Sequence, residues 1–274
     1  MKTHMILKGL ILGWLTLGLS LPVSGTQQQA GPEKSPGQKE AAPVVRTKNT
    51  NKDGERPMIR VSEEKTTAPK EEPLYRPPSR GAPGGRVGGG TRVPSEGLPL
   101  LYALVPDHVG LTAAEQPVFV WYMSKATSHP LEFTVIDEVG VAPLIERPLS
   151  APAQQGINII QSDQYGLELE PGKTYQWYVS LISDPDRRSK DVIAGGRVEV
   201  SAAPSSLKNE VMHANPVDAT TLLAQAGFWY DAMGVISTNI QANPSNQEMR
   251  AIRASLLNQV DLKTVAQVDR QQGL

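Results

Sequence analysis

The composition of the chain changes abruptly near residue 96, and this change limits which part of it can fold. Residues 26–95 hold ten of the 23 prolines and mix Pro-rich with charged stretches, such as Lys70-Glu71-Glu72-Pro73. Apolar residues are too sparse there to offset the entropy lost when a backbone is ordered. We therefore predict a disordered Pro/Gly/charge-rich tail over residues 26–95 and a folded body from residue 96 onward.

The first 25 residues have the three parts of a secretory signal. Two lysines form a basic start, residues 10–21 form an apolar run, and residues 22–25 form a small-residue ending. The run is about a dozen residues long, whereas a bilayer-spanning helix needs ~20. We expect a protein that is periplasmic or secreted, with cleavage near Gly25 and no transmembrane span in the mature protein. Cleavage near Ala30 and an uncleaved anchor are the alternatives.

Cysteine is absent from the whole chain. Disulfides, thiolate metal sites and cysteine nucleophiles are therefore excluded. An exported protein of this composition has to be held together by its apolar core.

Charge is distributed unevenly between the tail and the body. Residues 26–95 contain 13 Lys and Arg against 8 Asp and Glu, whereas residues 96–274 contain 12 against 20. An acidic body argues against nucleic acid as its partner, because phosphate backbones are bound by basic surfaces.

Seven short segments after residue 96 have the composition of β-strands, with Pro, Gly and Asp turns between them. In residues 174–182 the apolar positions alternate clearly with polar ones, which is the period of a half-buried strand. No long amphipathic helix interrupts the series, so a doubly wound parallel sheet is disfavoured. We predict an α+β fold in which an antiparallel Ig-like β-sandwich occupies residues 96–204. The predicted strands are residues 101–105, 118–123, 131–137, 143–149, 157–161, 174–182 and 197–201.

From residue 205 the apolar pattern becomes helical. Asp218 is a suitable N-cap for the second predicted helix, and Ser245 with Glu248 forms a capping box for the fourth. We predict a helical region over residues 205–274 that packs on the sandwich. The predicted helices are residues 206–214, 218–226, 229–241, 245–260 and 261–269.

Five blocks of residues, spread in one order over residues 80–262, resemble a known family. The blocks are the Gly/Arg segment 80–92, Leu111-Thr112 through Pro117 to Val120-Trp121-Tyr122, Gly172-Lys173-Thr174-Tyr175-Gln176-Trp177, Asp184-Pro185-Asp186-Arg187-Arg188-Ser189, and Gly227-Phe228-Trp229-Tyr230-Asp231-Ala232. This pattern resembles DUF928, a family of exported bacterial proteins. Because that family has no assigned activity, the resemblance implies export from the cytoplasm but no mechanism.

A second resemblance is confined to the C-terminal region. Gly227-x-Trp229-x-Asp231-Ala232, followed by Ile236 and Asn243-Pro244, is similar to the helix pair of a tetratricopeptide repeat. The resemblance implies two closely packed helices, forming a helical hairpin. Only about one and a half repeats are present, whereas a free-standing array needs three or more. We therefore expect these helices to pack on the sandwich.

The Gly-rich segment at the end of the tail invites comparison with a phosphate-binding loop. Gly85 and Gly90 have the required spacing, but Thr91-Arg92 stands where Lys-Ser/Thr is needed. A flexible hinge is the simpler interpretation. The alternative is an anion or partner contact made by Arg80, Arg86 and Arg92, because arginine offers a fork of donors.

The acidic segment around Asp184 resembles a cation-binding loop, but Arg187 and Arg188 lie within it and the glycine of an EF-hand is missing. We predict a charged hairpin turn, with Asp184, Arg187 and Arg188 as candidate partner contacts. The histidines lack zinc-ligand spacing and no G-x-S-x-G motif occurs. We therefore predict no catalytic residue, no metal and no cofactor.

Tryptophans supply the remaining candidates. Trp121 and Trp177 are expected in the core, because aromatic side chains bury large areas. Trp229 and Tyr230 are adjacent and diverge by roughly 100° on a helix. We expect one to seal the seam between helices and sandwich and the other to be an exposed partner contact.

The sequence thus favours an exported, non-enzymatic interaction or scaffold protein of the bacterial cell envelope that binds a protein partner. One alternative is a module that binds carbohydrate or a cell-wall polymer, since sandwiches often present aromatic side chains to sugars. Another is an enzyme whose polar residues converge only in the folded state. Capture of a protein partner would favour the first, and sedimentation with cell-wall material the second.

Overall fold

The computed structural model describes residues 73–79, 85–88, 97–140, 142–149 and 154–272. The predicted signal and most of the predicted tail lie outside these residues. The described strands and helices belong to one compact unit.

Nine strands in the described residues form two sheets and confirm the predicted sandwich. The strands are β1 (Arg86–Val87), β2 (Leu101–Ala103), β3 (Gly110–Thr112), β4 (Val118–Met123), β5 (Leu131–Asp137), β6 (Pro143–Leu149), β7 (Gly156–Gln161), β8 (Thr174–Leu181) and β9 (Val192–Val200). The larger sheet has the order β1-β9-β8-β5-β6, with β3 also on β9, and the smaller sheet has the order β2-β4-β7. Pairing is antiparallel except between β3 and β9, which are parallel.

The core between the sheets follows from the alternating pattern of β8. Tyr175, Trp177 and Leu181 are buried on one side, as predicted. Phe119 of β4 lies against them from the smaller sheet, with its ring centroid 5.0 Å from that of Trp177 and 5.3 Å from that of Phe133. Aromatic rings at this separation add to the stabilisation that comes from burying their area.

β9 begins five residues before the predicted strand, because Gly195 and Gly196 hide its strand character in the sequence. A Cβ at Gly196 would lie 2.7 Å from a methyl carbon of Val105 and 3.3 Å from the Tyr230 hydroxyl. Glycine within a strand often marks a close approach of this kind. The position therefore gives room for Tyr230 to reach the larger sheet.

Five helices follow, close to their predicted positions: α1 (Ser205–His213), α2 (Pro216–Gln225), α3 (Trp229–Ala242), α4 (Gln247–Gln259) and α5 (Lys263–Gln271). The two predicted caps are wrong. Asn215 caps α2, because Pro216 after it is suited to the first helical position. Asn246, not Ser245, caps α4 by accepting a hydrogen bond from the Met249 backbone N–H.

The helices pack on the sandwich, as predicted: α3 contacts both β3 and β4. A buried ion triad joins α4 to α5. The Asp269 carboxylate accepts hydrogen bonds from Arg250 at 2.9 Å and from Arg253 at 2.6 and 2.8 Å. Removing one member of such a triad leaves an unpaired buried charge, so the triad fixes the relative position of the two helices.

Residues 73–79, called the strap below, pack on the folded body. The prediction that the tail is disordered throughout is therefore wrong for the strap and for residues 85–88. Tyr75 is buried, with its ring 4.8 Å from that of Trp229 in an edge-to-face arrangement. Composition averaged over the tail conceals this single large side chain, whose burial helps to hold the strap on the body.

Hydrogen bonds fix the strap to distant parts of the chain. The Tyr75 backbone N–H donates to Gln259 Oε1 at 2.8 Å, and the Gln259 amide donates to the Pro73 carbonyl at 2.8 Å. The Tyr75 hydroxyl lies 2.9 Å from His108 Nε2. The strap thus joins the end of α4 to the loop between β2 and β3.

Substitutions in the strap test whether its docking stabilises the folded protein. We expect Tyr75→Ala to lower the free energy of unfolding by about 3 kcal/mol, because it removes a buried aromatic ring. Tyr75→Phe, which loses only the hydrogen bond to His108, should cost about 1 kcal/mol. Leu74→Ala is the matched control, since Leu74 is exposed. Urea denaturation measures all three, and equal effects of Tyr75→Ala and Leu74→Ala would contradict a docked strap.

Candidate functional site

The first turn of α3 joins the helices to both sheets. The Trp229 indole N–H donates to the Leu104 carbonyl, after β2, at 2.9 Å. The Tyr230 hydroxyl accepts from the Trp177 indole at 2.7 Å and donates to the Arg197 carbonyl at 3.0 Å. Both side chains of this turn are therefore committed to the interior.

The expectation that either Trp229 or Tyr230 is exposed is wrong, because both are at most 2% exposed. Two adjacent helical residues point in different directions, so one of them is exposed when the helix packs on only one surface. The start of α3 packs on both sheets: Trp229 contacts the end of β2 in the smaller sheet, and Tyr230 contacts β8 and β9 in the larger sheet. Neither ring is therefore available to a partner on this folded body.

Arginine candidates from the Gly-rich segment divide into two groups. Arg80 and Arg92 lie outside the described residues. Arg86 is half-buried, and its Nη1 donates to the carbonyls of Val105 at 3.2 Å and Val260 at 3.0 Å. Arg86 thus joins β1 to the end of α4 through intramolecular hydrogen bonds.

The segment from Asp184 to Arg188 lies in the turn between β8 and β9, which is the predicted charged hairpin. Arg188 pairs with Asp191 at 2.6 Å and with Glu132 at 2.7 Å. Arg187 lies 3.7 Å from Asp184 and is largely exposed. Because Trp229 and Tyr230 are buried, this turn forms no joint surface with them.

An apolar groove of about 450 Å³ separates α1 from β3, the start of β4 and α3. Leu207, Val211 and Met212 line it from α1, and Val235 lines it from α3. Met212 is 72% exposed, and α1 has no fully buried residue. The groove is therefore bordered by a helix whose aliphatic face is only half covered.

Asp231 is half-buried in the wall of this groove. Its carboxylate accepts a hydrogen bond from the Ala113 backbone N–H at 2.9 Å and so joins α3 to the end of β3. Burial raises the pKa of Asp231 to about 6, against the lowering effect of the hydrogen bonds from Ala113 and Thr112. The carboxylate has a structural partner, and desolvation makes its charged form costly.

A polar cavity of about 600 Å³ lies along β7, the outer strand of the smaller sheet. α3 and α4 form the opposite wall, where Ser237 and the paired Arg250 and Arg253 lie. Side-chain amides make up much of the remaining lining. They come from Gln154, Gln155, Asn158, Gln164, Gln241 and Gln272.

Among the described residues, no three histidine, cysteine, aspartate or glutamate side chains are grouped so that they could hold a metal ion. Within the same part of the chain, no helix has the length and apolar character to cross a membrane.

The model of the family described as a Domain of Unknown Function, DUF928, matches residues 87–270. The chain belongs to the DUF928 family. The DUF928 match runs from the second residue of β1 to the last turn of α5, so it includes both sheets, all five helices and most of the lining of both clefts. The strap precedes it. No curated protein matches the chain.

Sequence reasoning missed both clefts. The cavity amides come from separate parts of the chain and follow no spacing, and Trp121, which also lines the cavity, was correctly placed in the core. For the groove, a signal was present: α1 carries Leu207 and Val211 four residues apart, on a helix whose other residues, apart from Met212, are polar. That spacing places both side chains on one helix face.

Asp231 predicts a dependence of stability on pH. Its folded-state pKa of about 6 is above its ordinary value of 3.8, so the folded protein binds more protons between these values. The stability that Asp231 contributes is fully present below about pH 4 and is lost as pH rises through about 6. As pH rises from about 4 to about 6, we expect the unfolding free energy of the wild type to fall by about 2 kcal/mol relative to that of Asp231→Asn. A pKa shift of this size corresponds to ~3 kcal/mol for a fully shielded group, and the partial solvent contact of Asp231 reduces that value.

Urea denaturation of wild type and Asp231→Asn between about pH 3 and about pH 7 tests this expectation. Asp186→Asn, in the exposed hairpin turn, controls for the loss of one carboxylate. A difference between wild type and Asp231→Asn that stays constant over the range would contradict it.

Proposed function

We propose that the protein is an exported, non-enzymatic interaction protein of the bacterial cell envelope that binds a protein partner in the apolar groove. The proposed export rests on the signal-like pattern of residues 1–25. The single observation that carries the binding role is the half-covered aliphatic face of α1, which borders the groove. Exposed apolar surface of this kind is typical of interaction sites.

The groove suits an amphipathic helix of the partner. Leu207 and Val211 lie four residues apart along one wall and Val235 lies on the other. A helix presents its own apolar residues at the same spacing, so two such faces interdigitate. Met212 adds a flexible apolar side chain at the rim, of the kind that adapts to different partners.

Charge at the rim specifies the occupant further. Lys208 is the exposed charged residue among those that line the groove, whereas Asp231 is half-buried and hydrogen-bonded to Ala113. An acidic residue beside the apolar face of the partner helix would meet Lys208. Complementary charges at a rim mainly favour association rate and specificity.

The non-enzymatic part of the proposal is supported by the lining of the groove. Its two charged groups are Lys208 and Asp231, and Asp231 is occupied by a backbone N–H. A general acid or base has to reach the proton that it transfers, and the half-buried Asp231 carboxylate already accepts a hydrogen bond from Ala113.

Site-specific photocrosslinking tests the proposal. A photoreactive residue is placed at Met212 of the full chain in the source bacterium, and the captured residue is mapped by mass spectrometry. We expect one partner, linked through the apolar face of an amphipathic helix. Val211→Asp should reduce this product about tenfold or more, because it places a charge in the apolar wall, and Lys208→Glu should also reduce it.

The matched control is the same photoreactive residue at Val139, which is 90% exposed and lies in the turn between β5 and β6. Equal capture from Met212 and Val139 would show non-specific adhesion. A product that joins Met212 to the same chain, or to a second copy of it, would equally overturn the assignment of a different protein as occupant.

A further inference from the structure

Two residues that line the polar cavity each have a buried polar atom with no hydrogen-bonding partner among the described residues: Trp121 Nε1 and Ser237 Oγ. The two residues are 3% and 1% exposed. A third such atom in the described chain, Asp191 Oδ1, belongs to the β8–β9 turn. Two of the three thus occur in residues that line one cavity.

Unpaired buried groups are rare in folded proteins, because a buried polar atom that lacks a partner destabilises the folded state. The other two tryptophans of the body show the usual arrangement. The indole of Trp177 donates to Tyr230, and that of Trp229 donates to the Leu104 carbonyl. Trp121 therefore differs from them in having a buried donor without a partner, in a residue that lines a cavity.

The position of the cavity gives it a defined shape. Four consecutive residues of β7, 157–160, line it, so it follows the open edge of that strand rather than one face of the sheet. In the described residues β7 pairs only with β4. A volume of about 600 Å³ is in the range of small-molecule sites.

The lining favours hydroxyl groups as ligands. Each of the six primary amides carries two donors and an acceptor, the Ser237 hydroxyl both donates and accepts, and the Trp121 indole only donates. A sugar hydroxyl likewise donates and accepts, and a sugar ring oxygen accepts. This combination matches a polyhydroxylated ligand group by group.

The charged side chains in the cavity wall already form hydrogen bonds within the protein. Arg253 gives Nε and Nη2 to Asp269, while Arg250 gives Nη1 to Asp269 and Nε to the Pro244 carbonyl at 2.9 Å. The triad therefore holds this wall in place. Among the amides, Asn158 Nδ2 donates to the carbonyls of Gln154 and Gly156, and Gln164 Nε2 donates to Gln161 Oε1. The amide oxygens of these two side chains and the amides of the other four remain the principal groups for recognition.

We propose that the polar cavity is a binding site for a neutral carbohydrate of about the size of a disaccharide. Trp121 Nε1 donates to a ligand oxygen, Ser237 bonds a ligand hydroxyl, and amides such as Gln164 and Gln241 bond others. The site is separate from the apolar groove, so this assignment stands or falls independently of the protein partner proposed above.

The three body tryptophans allow a direct test by nuclear magnetic resonance. In the ¹⁵N-labelled full chain, single Trp→Phe variants assign the indole N–H signals, including that of Trp14 in the signal segment. The protein is then titrated with N,N′-diacetylchitobiose, cellobiose and maltose. We expect at least one disaccharide to shift the Trp121 signal saturably, while the signals of Trp177 and Trp229 stay in place because their donors are already bonded.

Two substitutions of exposed residues connect the Trp121 signal to affinity without relying on a change in the core. Gln164→Ala and Gln241→Ala change exposed residues of the cavity, and each should weaken binding about fivefold or more, as expected for one lost hydrogen bond. Ser237→Ala should weaken it similarly. Gln116→Ala removes an exposed amide that lines the apolar groove and should leave the sugar affinity unchanged.

Three results would overturn the proposal. The first is a Trp121 signal that no disaccharide moves. The second is a shift produced by inorganic phosphate or by an N-acetylated, amidated alanine tripeptide but by none of the sugars, which would assign an anion or a peptide to the cavity. The third is a sugar-induced shift that Gln164→Ala, Gln241→Ala and Ser237→Ala all leave unchanged.

Discussion

The indole of Trp177 and the hydroxyl of Tyr230 meet in the interior, and the rest of the structure depends on this contact. The Tyr230 hydroxyl in turn donates a hydrogen bond to the Arg197 carbonyl, so α3 is fixed to two strands of the larger sheet at once. Buried polar groups are tolerated only when they are bonded, and here the pairing also specifies orientation. Once the first turn of α3 is fixed, the rest of the helix has one course over the smaller sheet.

The path of α3 over the smaller sheet produces both the apolar groove and the polar cavity. Residues in the first half of α3, such as Asp231 and Val235, line the apolar groove, and residues in its second half, such as Ser237 and Gln241, line the polar cavity. The two clefts differ in chemistry because different elements face α3 in each: the aliphatic side of α1 in the groove, and the edge of β7 with its amides in the cavity.

The fold was predictable wherever apolar side chains recur in the sequence at the spacing of a strand or a helix. β5 and β8 alternate strongly, and α3 carries an apolar face, so their type and position follow from the sequence. β1 and β3 have two and three residues, too few to show a period. Gly195 and Gly196 concealed the start of β9 because their role is to leave space: for the Tyr178 ring at Gly195, and for Val105 and Tyr230 at Gly196.

The candidate sites were less predictable for a physical reason. The hairpin turn at Asp184 could be anticipated because its charges are adjacent in sequence. The aromatic pair at Trp229 was misjudged because exposure depends on what packs on each side of a helix. The cavity could not be foreseen at all, because amide side chains carry no periodic signal. Those that line the cavity come from β7 and the segments on either side of it, from α3, and from the end of α5.

The strap has a consequence for the order of folding. Its hydrogen bonds with Gln259 join residues separated by 184 and 186 positions, nearly the full span of the described chain. Contacts so remote in sequence form slowly, because a long loop must be closed before they contribute any stability. Although the strap is among the first segments to be synthesised, its docking site is not complete until α4 exists. We therefore expect Tyr75 to dock late in folding, onto a core that is already assembled.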